Sequence, residues 1–167
     1  LTGHLVMSTL HTNSAVETVT RLLDMGCDAF NFSDAMLGVL AQRLCKRLCV
    51  HCKEGYHPDR QEFDDLVQGY GVCDWDRVGV MYSPDLSLYR AHGCERCNQS
   101  GFKGRMALHE LLVGSDEVKR CIQSRARTAE MADVARREGM MTLLQHGIQK
   151  IFEGATTYRQ VRAVAVK

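Results

Sequence analysis

The sequence predicts an α/β fold that carries a four-cysteine centre and ends in a small helical bundle. Three observations lead to this prediction. A short apolar run at residues 5–10 is followed by a polar turn and an amphipathic segment, which is half of a strand–helix–strand unit. Two CxxC pairs stand at residues 49–52 and 94–97. Capped amphipathic segments then fill the last third of the chain.

The first strand and helix define a candidate ligand site. Residues 5–10 form a short, mainly apolar run, which is typical of a strand that is buried in a parallel sheet. The polar residues that follow offer N-caps for a helix over residues 15–25, which Gly26 would end. Ligands of open parallel sheets bind beyond the carboxyl ends of the strands. The candidate ligand residues are therefore His11, Thr12 and Asn13.

Two histidines flank this predicted strand. His4 precedes it and His11 follows it. At about 3.3 Å per residue, the two lie roughly 20 Å apart along an extended backbone. They can share one small site only if the strand is shorter than predicted. For each histidine, a capping or loop role is the alternative to a ligand role.

A second helix is predicted over residues 28–38, and a strand over residues 39–48 leads into the first CxxC pair. Neither face of this strand is clearly apolar. Arg43 on this strand could bind a phosphate group or a partner protein. A surface salt bridge is the alternative for Arg43.

Cys49, Cys52, Cys94 and Cys97 predict a structural zinc site. A spacing of two residues lets both thiolates of a pair face one ion, and two pairs supply the four sulfur ligands that Zn²⁺ accepts in structural sites. Nearby lysines and arginines favour the thiolate forms. Reduced metal-free pairs, disulfides and a thioredoxin-like redox motif are the alternatives.

The stretch between the two cysteine pairs is longer than in a compact zinc ribbon, so we expect an insertion over residues 56–90. Within it, a short helix is predicted over residues 62–70 and a returning strand over residues 82–89. Asp64 and Asp65 could suggest acid–base chemistry, but a solvated helix face explains them better.

After the second cysteine pair, the pattern predicts a glycine-punctuated turn at residues 101–105 and then a strand. Helices should begin at Ser115 and at Thr128, and another should span residues 141–152. Thr156 or Thr157 should cap a last short helix. Three parts follow: an α/β core portion over residues 1–48, a zinc-binding part over residues 49–104, and a strand with helices over residues 105–167.

Composition limits the classes of function. The formal net charge of +1 gives no general electrostatic case for binding nucleic acid or an anionic membrane. The sequence has no signal-peptide pattern and no apolar run of about 20 residues. A reducing cytoplasm fits best. The cysteines outside the two pairs are predicted to be buried free thiols: Cys27, Cys45, Cys73 and Cys121.

Several segments together resemble the type II secretion and type IV pilus assembly ATPases. The run LTGHLVMSTLHTN resembles their histidine box, and LGVLAQRLCKRLC resembles the strand before their metal-binding cysteines. GCERCNQSGFKGR, with HELL beyond it, resembles the segment that closes their zinc site. The ending around Met141 and Gly154 resembles their C-terminal helices. The resemblance covers nearly the whole chain except the insertion.

The resemblance implies the C-terminal portion of a RecA-like parallel-sheet ATPase domain. The whole motor would be a hexamer in the bacterial cytoplasm. It would be peripheral to the inner membrane and would work with platform and cytoplasmic-domain partners. It would use ATP and Mg²⁺ to drive secretion or pilus assembly. The resemblance places His4 and His11 near the γ-phosphate. Thr12, Asn13 and Arg43 are predicted from their positions as further nucleotide-site residues. The resemblance assigns the four cysteines to structural zinc.

Two features depart from this family pattern. The phosphate-binding motif GxxxxGK[ST] does not occur in the sequence, so we expect this chain alone not to hydrolyse ATP and to be a piece of a longer protein. His146 stands where the resemblance leads us to expect an acid. The alternative functions are a free-standing zinc module that docks protein or nucleic acid, and a redox protein that uses its CxxC pairs.

Overall fold

The computed structural model describes residues 3–166, which group into two compact units. The N-terminal unit comprises the described residues up to Ala41 together with Leu111–Met140. The cysteine unit comprises Gln42–Glu110 and the described residues from Met141 onward. Each unit has a hydrophobic core of its own.

Seven α-helices, four strands and the two short 3₁₀ turns Val72–Arg77 and Glu95–Cys97 make up the regular structure of the described residues. The helices are α1 Ala15–Asp24, α2 Ala29–Ala35, α3 Arg60–Tyr70, α4 Asp116–Gln123, α5 Thr128–Arg137, α6 Leu143–Phe152 and α7 Tyr158–Ala165. The strands are β1 Gly38–Leu48, β2 Lys53–Tyr56, β3 Leu88–Ala91 and β4 Phe102–Val113.

The helices of the N-terminal unit begin at side-chain caps. Ser14 accepts a hydrogen bond from the N–H of Glu17 and so begins α1, and Asp28 begins α2 in the same way. Helix α1 buries its apolar face, and α2 packs on α4 while α1 packs on α5. The segments at residues 15–25 and 28–38 are therefore confirmed as helices, although α2 is shorter than expected.

The predicted buried strand at residues 5–10 is wrong for the described structure. These residues form no strand, and their apolar side chains are exposed, with Leu5 at 75% and Met7 at 91% of full exposure. A strand needs a partner for its backbone groups and a layer over its side chains. Residues 3–166 supply neither at this position.

The long strands β1 and β4 pair with each other. Near one end of the pair Leu37 accepts from the N–H of Gly114, and near the other Cys49 donates to the oxygen of Gly101, each at 2.9 Å. These two bonds show that the strands run antiparallel. The strand predicted before the first cysteine pair is confirmed, and Cys45 is buried on its inner side.

The cysteine unit packs α3, α6 and α7 around a core that includes Leu66, Leu108 and Ile148. Its second strand pair, β2 with β3, is antiparallel and places Lys53 opposite Ala91. In residues 3–166 both strand pairs are therefore antiparallel, and the expected parallel sheet is not seen there. The described residues contain no helix that is long and apolar enough to cross a lipid bilayer.

The insertion has an aromatic core that the sequence did not predict. Trp75 meets Phe63 edge-on at 5.5 Å between ring centroids, and it also contacts Tyr70 and Phe152. The predicted helix is confirmed as α3. The returning strand predicted over residues 82–89 is wrong over most of that span, because the strand begins at Leu88 and ends at Ala91. The insertion is thus a packed part of its unit.

The cysteines outside the two pairs differ in exposure. Cys45 and Cys121 are buried free thiols as predicted, and burial raises the pKa of each. Cys27 is half-buried. Cys73 is exposed, so the prediction that it is buried is wrong. Cys73 lies in the short 3₁₀ turn Val72–Arg77, in which no residue is buried.

Candidate metal centre

The four cysteines of the CxxC pairs meet at one point. Their sulfur atoms all lie within 4.8 Å of one another. The Cys49–Cys94, Cys52–Cys97 and Cys94–Cys97 sulfurs are 3.9, 3.8 and 3.7 Å apart. A tetrahedral zinc ion with bonds of about 2.3 Å requires sulfurs about 3.8 Å apart. A disulfide requires about 2 Å, so the pairs are thiols arranged as a metal ligand set.

Two antiparallel strand pairs bring the distant cysteines together. Cys49 follows the end of β1, and its N–H bond to Gly101 fixes it beside the residues that follow the second pair. Cys52 directly precedes β2, and Cys94 comes shortly after the end of β3. Because β2 and β3 pair in register, the two CxxC turns lie at the same end of this sheet.

Two backbone N–H donors favour the thiolate form of Cys97. The N–H groups of Cys94 and Gly101 both donate to its sulfur at 3.2 Å. Burial by itself raises the pKa of the Cys97 thiol, but these donors and the neighbouring thiols outweigh it and lower the pKa to about 6. Burial and the neighbouring thiols raise the pKa of Cys52 to about 12. A divalent ion would remove this contrast by holding all four as thiolates.

The second CxxC turn needs glycine at specific positions. Asn98 and Gln99 both adopt left-handed backbone angles, with φ of 50° and 61°. A Cβ on Gly93 would lie 2.8 Å from the oxygen of Gln99, and one on Gly101 would lie 2.5 Å from Ala91. The tight geometry that the sequence suggested at Gly101 is therefore present.

The loop between α6 and α7 is fastened to the cysteine centre. Lys53 donates to the oxygen of Gly154 at 2.8 Å, and its ammonium group stands 4.1 Å above the ring of Tyr89. Leu48 donates to Ala155, and buried Thr156 donates to the oxygen of Lys46. The only sequence feature that indicated this loop was the segment that begins at Gly154.

His146 also has a structural role that the sequence did not reveal. Its Nδ1 accepts a hydrogen bond from the backbone N–H of His109 at 2.9 Å, and the two imidazole rings stack with centroids 5.6 Å apart. Burial lowers the pKa of His146, and Lys150 and His109 lower it further. The neutral ring thus joins β4 to α6.

The candidate nucleotide-site residues are divided between the two units. His4 and His11 are exposed in the N-terminal unit. Thr12 hydrogen-bonds Thr18 at 2.6 Å, and the N–H of Asn13 donates to Glu17, so both support the start of α1. Arg43 lies on β1 within the cysteine unit. Their roles at a nucleotide stay predictions.

Comparison with known proteins assigns the chain to a family. Residues 1–163 match the family model described as type II/IV secretion system protein. The chain belongs to this family. The matched residues include the four cysteines and the candidate nucleotide-site residues.

The similar relatives within the type II/IV secretion system family are much longer proteins. The chain is 43% identical to the type IV pilus assembly ATPase PilB of Thermus thermophilus, over all of this chain and 18% of that protein. It is 43% identical to the type II secretion system protein E of Pseudomonas aeruginosa and 41% identical to the type II secretion system ATPase E of Vibrio cholerae. In both cases 98% of this chain matches 30% of the relative. The chain therefore spans less than a third of their length.

Proposed function

We propose that this chain is the C-terminal part of an ATP-hydrolysing motor subunit for type II secretion or type IV pilus assembly. The observation that carries the proposal is about 40% identity, over nearly the whole chain, to ATPases of both systems. The four-cysteine centre supports it, because its position matches the segments that resemble the family. The same centre in a free-standing zinc module would not account for the match over residues 1–163.

The metal in this proposal is zinc, and its role is structural. Four sulfur ligands leave no open coordination position for water or substrate, so the ion would supply no catalytic chemistry. Cys49, Cys52, Cys94 and Cys97 would hold it. The chain itself brings the ends of β1 and β3 and the starts of β2 and β4 together at the metal site. The hydrogen bond from Lys53 to Gly154 attaches the α6–α7 loop to this site.

Nucleotide chemistry would require residues beyond this chain. The sequence lacks GxxxxGK[ST], whose backbone N–H groups and hydroxyl hold phosphates and Mg²⁺ in P-loop enzymes. In the whole motor, His4 and His11 would lie near the γ-phosphate, and Thr12, Asn13 and Arg43 would line the same site. This chain alone would then neither bind ATP usefully nor hydrolyse it.

The proposed fold of the whole motor domain is a RecA-like parallel sheet that this chain completes. Residues 5–10 support this proposal, since their apolar side chains are exposed and no layer covers them within residues 3–166. The exposed leucines Leu40 and Leu44 on β1 support it as well. Such surfaces need a covering layer in a stable protein.

The partners follow from the same proposal. The motor would be a homo-hexamer in the bacterial cytoplasm, and it would reach the inner membrane through platform and cytoplasmic-domain components of a secretion or pilus machine. No nucleic acid is expected, because acids and bases are almost equal in number. The relatives from both systems are equally similar, so the choice between secretion and pilus assembly rests on the partners.

Phosphate release tests this proposal. The purified 167-residue chain should release no phosphate from Mg-ATP, whereas the longer protein that contains it should do so. In the longer protein, His11→Ala should lower kcat, while Cys73→Ala should serve as a control at an exposed residue outside the proposed site. ATP hydrolysis by the 167-residue chain alone would contradict the proposal. So would a longer protein that contains this chain and releases no phosphate from Mg-ATP.

A further inference from the structure

A groove opens beside one sulfur of the cysteine centre. It has a volume of about 500 Å³, and its walls are formed by His51, Cys94, Glu95 and Arg96. The structure describes all four cysteines of the centre, and only Cys94 among them lines this groove. We call it the cysteine groove. Small solutes can therefore reach the metal ligand set from the Cys94 side.

The walls of the cysteine groove suit access better than retention of a ligand. His51, Glu95 and Arg96 are all exposed. A guanidinium nitrogen of Arg96 lies 3.1 Å from Nδ1 of His51, and this contact joins the two CxxC turns beside Cys94. Sites that retain small molecules bury most of the ligand surface. A groove with exposed walls does not, so its consequence is the reactivity of Cys94.

The other three sulfurs are less accessible from this side. Cys49 and Cys97 are buried, at 1% and 6% of full exposure. The sulfur of Cys97 also accepts the N–H groups of Cys94 and Gly101, which draw charge from a thiolate and weaken it as a nucleophile. Cys52 is half-buried, as Cys94 is, but it does not line the groove. Cys94 is therefore the sulfur that a dissolved reagent meets first.

Cys97 places a second sulfur close to that of Cys94. The two sulfurs are 3.7 Å apart, at the two ends of one CxxC pair. A disulfide bond has a length of about 2 Å, so the two atoms need to approach by less than about 2 Å. The CxxC spacing is also the one that redox proteins use for reversible disulfides. An oxidised Cys94 would thus have a partner thiolate within reach.

We propose that Cys94 is an oxidation site at which hydrogen peroxide opens the metal centre. The Cys94 thiolate attacks one peroxide oxygen, the O–O bond breaks, and the departing hydroxide takes up a proton to give water. Cys94 is then a sulfenic acid. The Cys97 thiolate attacks the Cys94 sulfur, the S–O bond breaks, and a second hydroxide takes up a proton. The peroxide has then accepted two electrons from two thiolates, and the products are one disulfide and two water molecules.

The disulfide removes two of the four ligands of the centre. Cys49 and Cys52 alone leave a structural zinc site incomplete, so the ion is lost to solution. The reaction reverses when a dithiol reduces the disulfide and zinc returns. The inference rests on the zinc site proposed above, and it adds a sensitivity to oxidants that a closed ligand set does not by itself imply.

Zinc release is the first test. The zinc-loaded 167-residue chain carries Cys27→Ser and Cys73→Ser, which remove the accessible thiols outside the centre. About one equivalent of hydrogen peroxide should release about one zinc ion per chain to a metal-sensitive dye. Peptide mass spectrometry should find a disulfide between Cys94 and Cys97, and dithiothreitol with added zinc should restore the loaded chain. Zinc that stays bound, or a first oxidation at another cysteine, would overturn the proposal.

Histidine replacements identify the sulfur that is attacked. Structural zinc sites accept histidine in place of cysteine, and an imidazole forms no disulfide. Cys94→His should release zinc about tenfold more slowly than the parent chain. Cys52→His is the matched control, since Cys52 is also half-buried but lies outside the groove, and its rate should stay within about threefold. Equal slowing in the two variants would contradict the proposal.

A change of the groove wall tests the route while it leaves all four ligands in place. Glu95→Trp adds a bulky ring at the groove and should slow zinc release about fivefold, whereas Glu95→Gln removes the same charge without added bulk and should change the rate by less than about twofold. This pair also serves if a histidine variant binds no zinc. An unchanged rate in Glu95→Trp would overturn entry through the groove.

The outcomes separate this inference from the proposal on which it rests. A purified chain without zinc would overturn the zinc site and the oxidation site together. A chain that holds zinc and keeps it in peroxide would overturn the oxidation site alone, and the zinc site and the motor assignment would stand.

Discussion

Individual backbone contacts determine how the four cysteines and their surroundings behave. The spacing of the cysteines predicts a metal ligand set, and the sulfur distances agree with it. The partners of that set could not be predicted, since Lys53 reaches Gly154 across about a hundred residues of sequence. Sequence patterns relate residues that are close along the chain. They do not predict a contact between two residues that only the folded chain brings together.

Gly154 offers a prediction at this scale. It has a φ of 68°, and a Cβ there would lie 2.5 Å from the ring of Tyr89. Gly104 has a φ of 78°, and a Cβ on Gly104 would meet no atom within 4 Å. Gly104→Ala should therefore lower the free energy of unfolding by about 1 kcal/mol through backbone strain alone. Gly154→Ala should lower it by roughly 2–4 kcal/mol because overlap is added. Urea denaturation measures both values. An equal loss of unfolding free energy in the two variants would contradict this account.

The burial of His146 predicts a pH dependence. The folded pKa of His146 lies below its ordinary value of 6.5, so the unfolded chain binds the proton more readily. The stabilisation is complete above about pH 6.5 and is lost as pH falls toward the folded pKa. Burial is the largest cause of the lowered pKa, Lys150 and His109 lower it further, and Glu153 opposes the shift.

His146→Asn provides the measurement. The asparagine oxygen can still accept a hydrogen bond but does not titrate in this range. The urea midpoint of the unmodified chain should fall more steeply below pH 6.5 than that of the variant, and the two should run parallel above it. Parallel curves across the whole range would show that His146 does not titrate as described.

At the scale of elements, local signals predicted the helices well and the strands only in part. Ser14, Ser115 and Thr142 each cap a helix through a bond to the backbone three residues later, which is a short-range pattern that sequence displays. Residues 5–10 have the composition of a strand, but a strand exists only with a partner. The aromatic core of the insertion depends on long-range contacts and was not predictable.

Metal removal should affect the elements unequally. The cysteine centre joins β1 to β2 and β3 to β4, so chelation should release the ends of these strands and the α6–α7 loop that Lys53 holds. Helices α1 and α5 belong to a separate core and should keep their protection. Hydrogen exchange of metal-loaded and chelated chain measures this. Uniform loss of protection, or none, would be inconsistent with a local structural metal.

At the scale of the whole molecule, two cores fold from interleaved stretches of one chain. The first unit uses both early and late residues, and so does the second. The strand–turn–helix pattern predicted the α/β class, and the family resemblance predicted membership, which the match over residues 1–163 confirms. The parallel sheet could not be tested from these residues, because a sheet is defined by all of its strands.

The central claim is that a zinc ion, held by four sulfurs, organises this unit of a secretion-family protein. Elemental analysis of the folded chain, purified without added metal, tests it most directly. The account predicts about one zinc ion per chain. It also predicts that Cys94→Ser loses most of the metal together with the protection of β2 and β3, whereas Cys73→Ser retains both. A well-folded chain without bound transition metal, and with unchanged stability after Cys94→Ser, would contradict it.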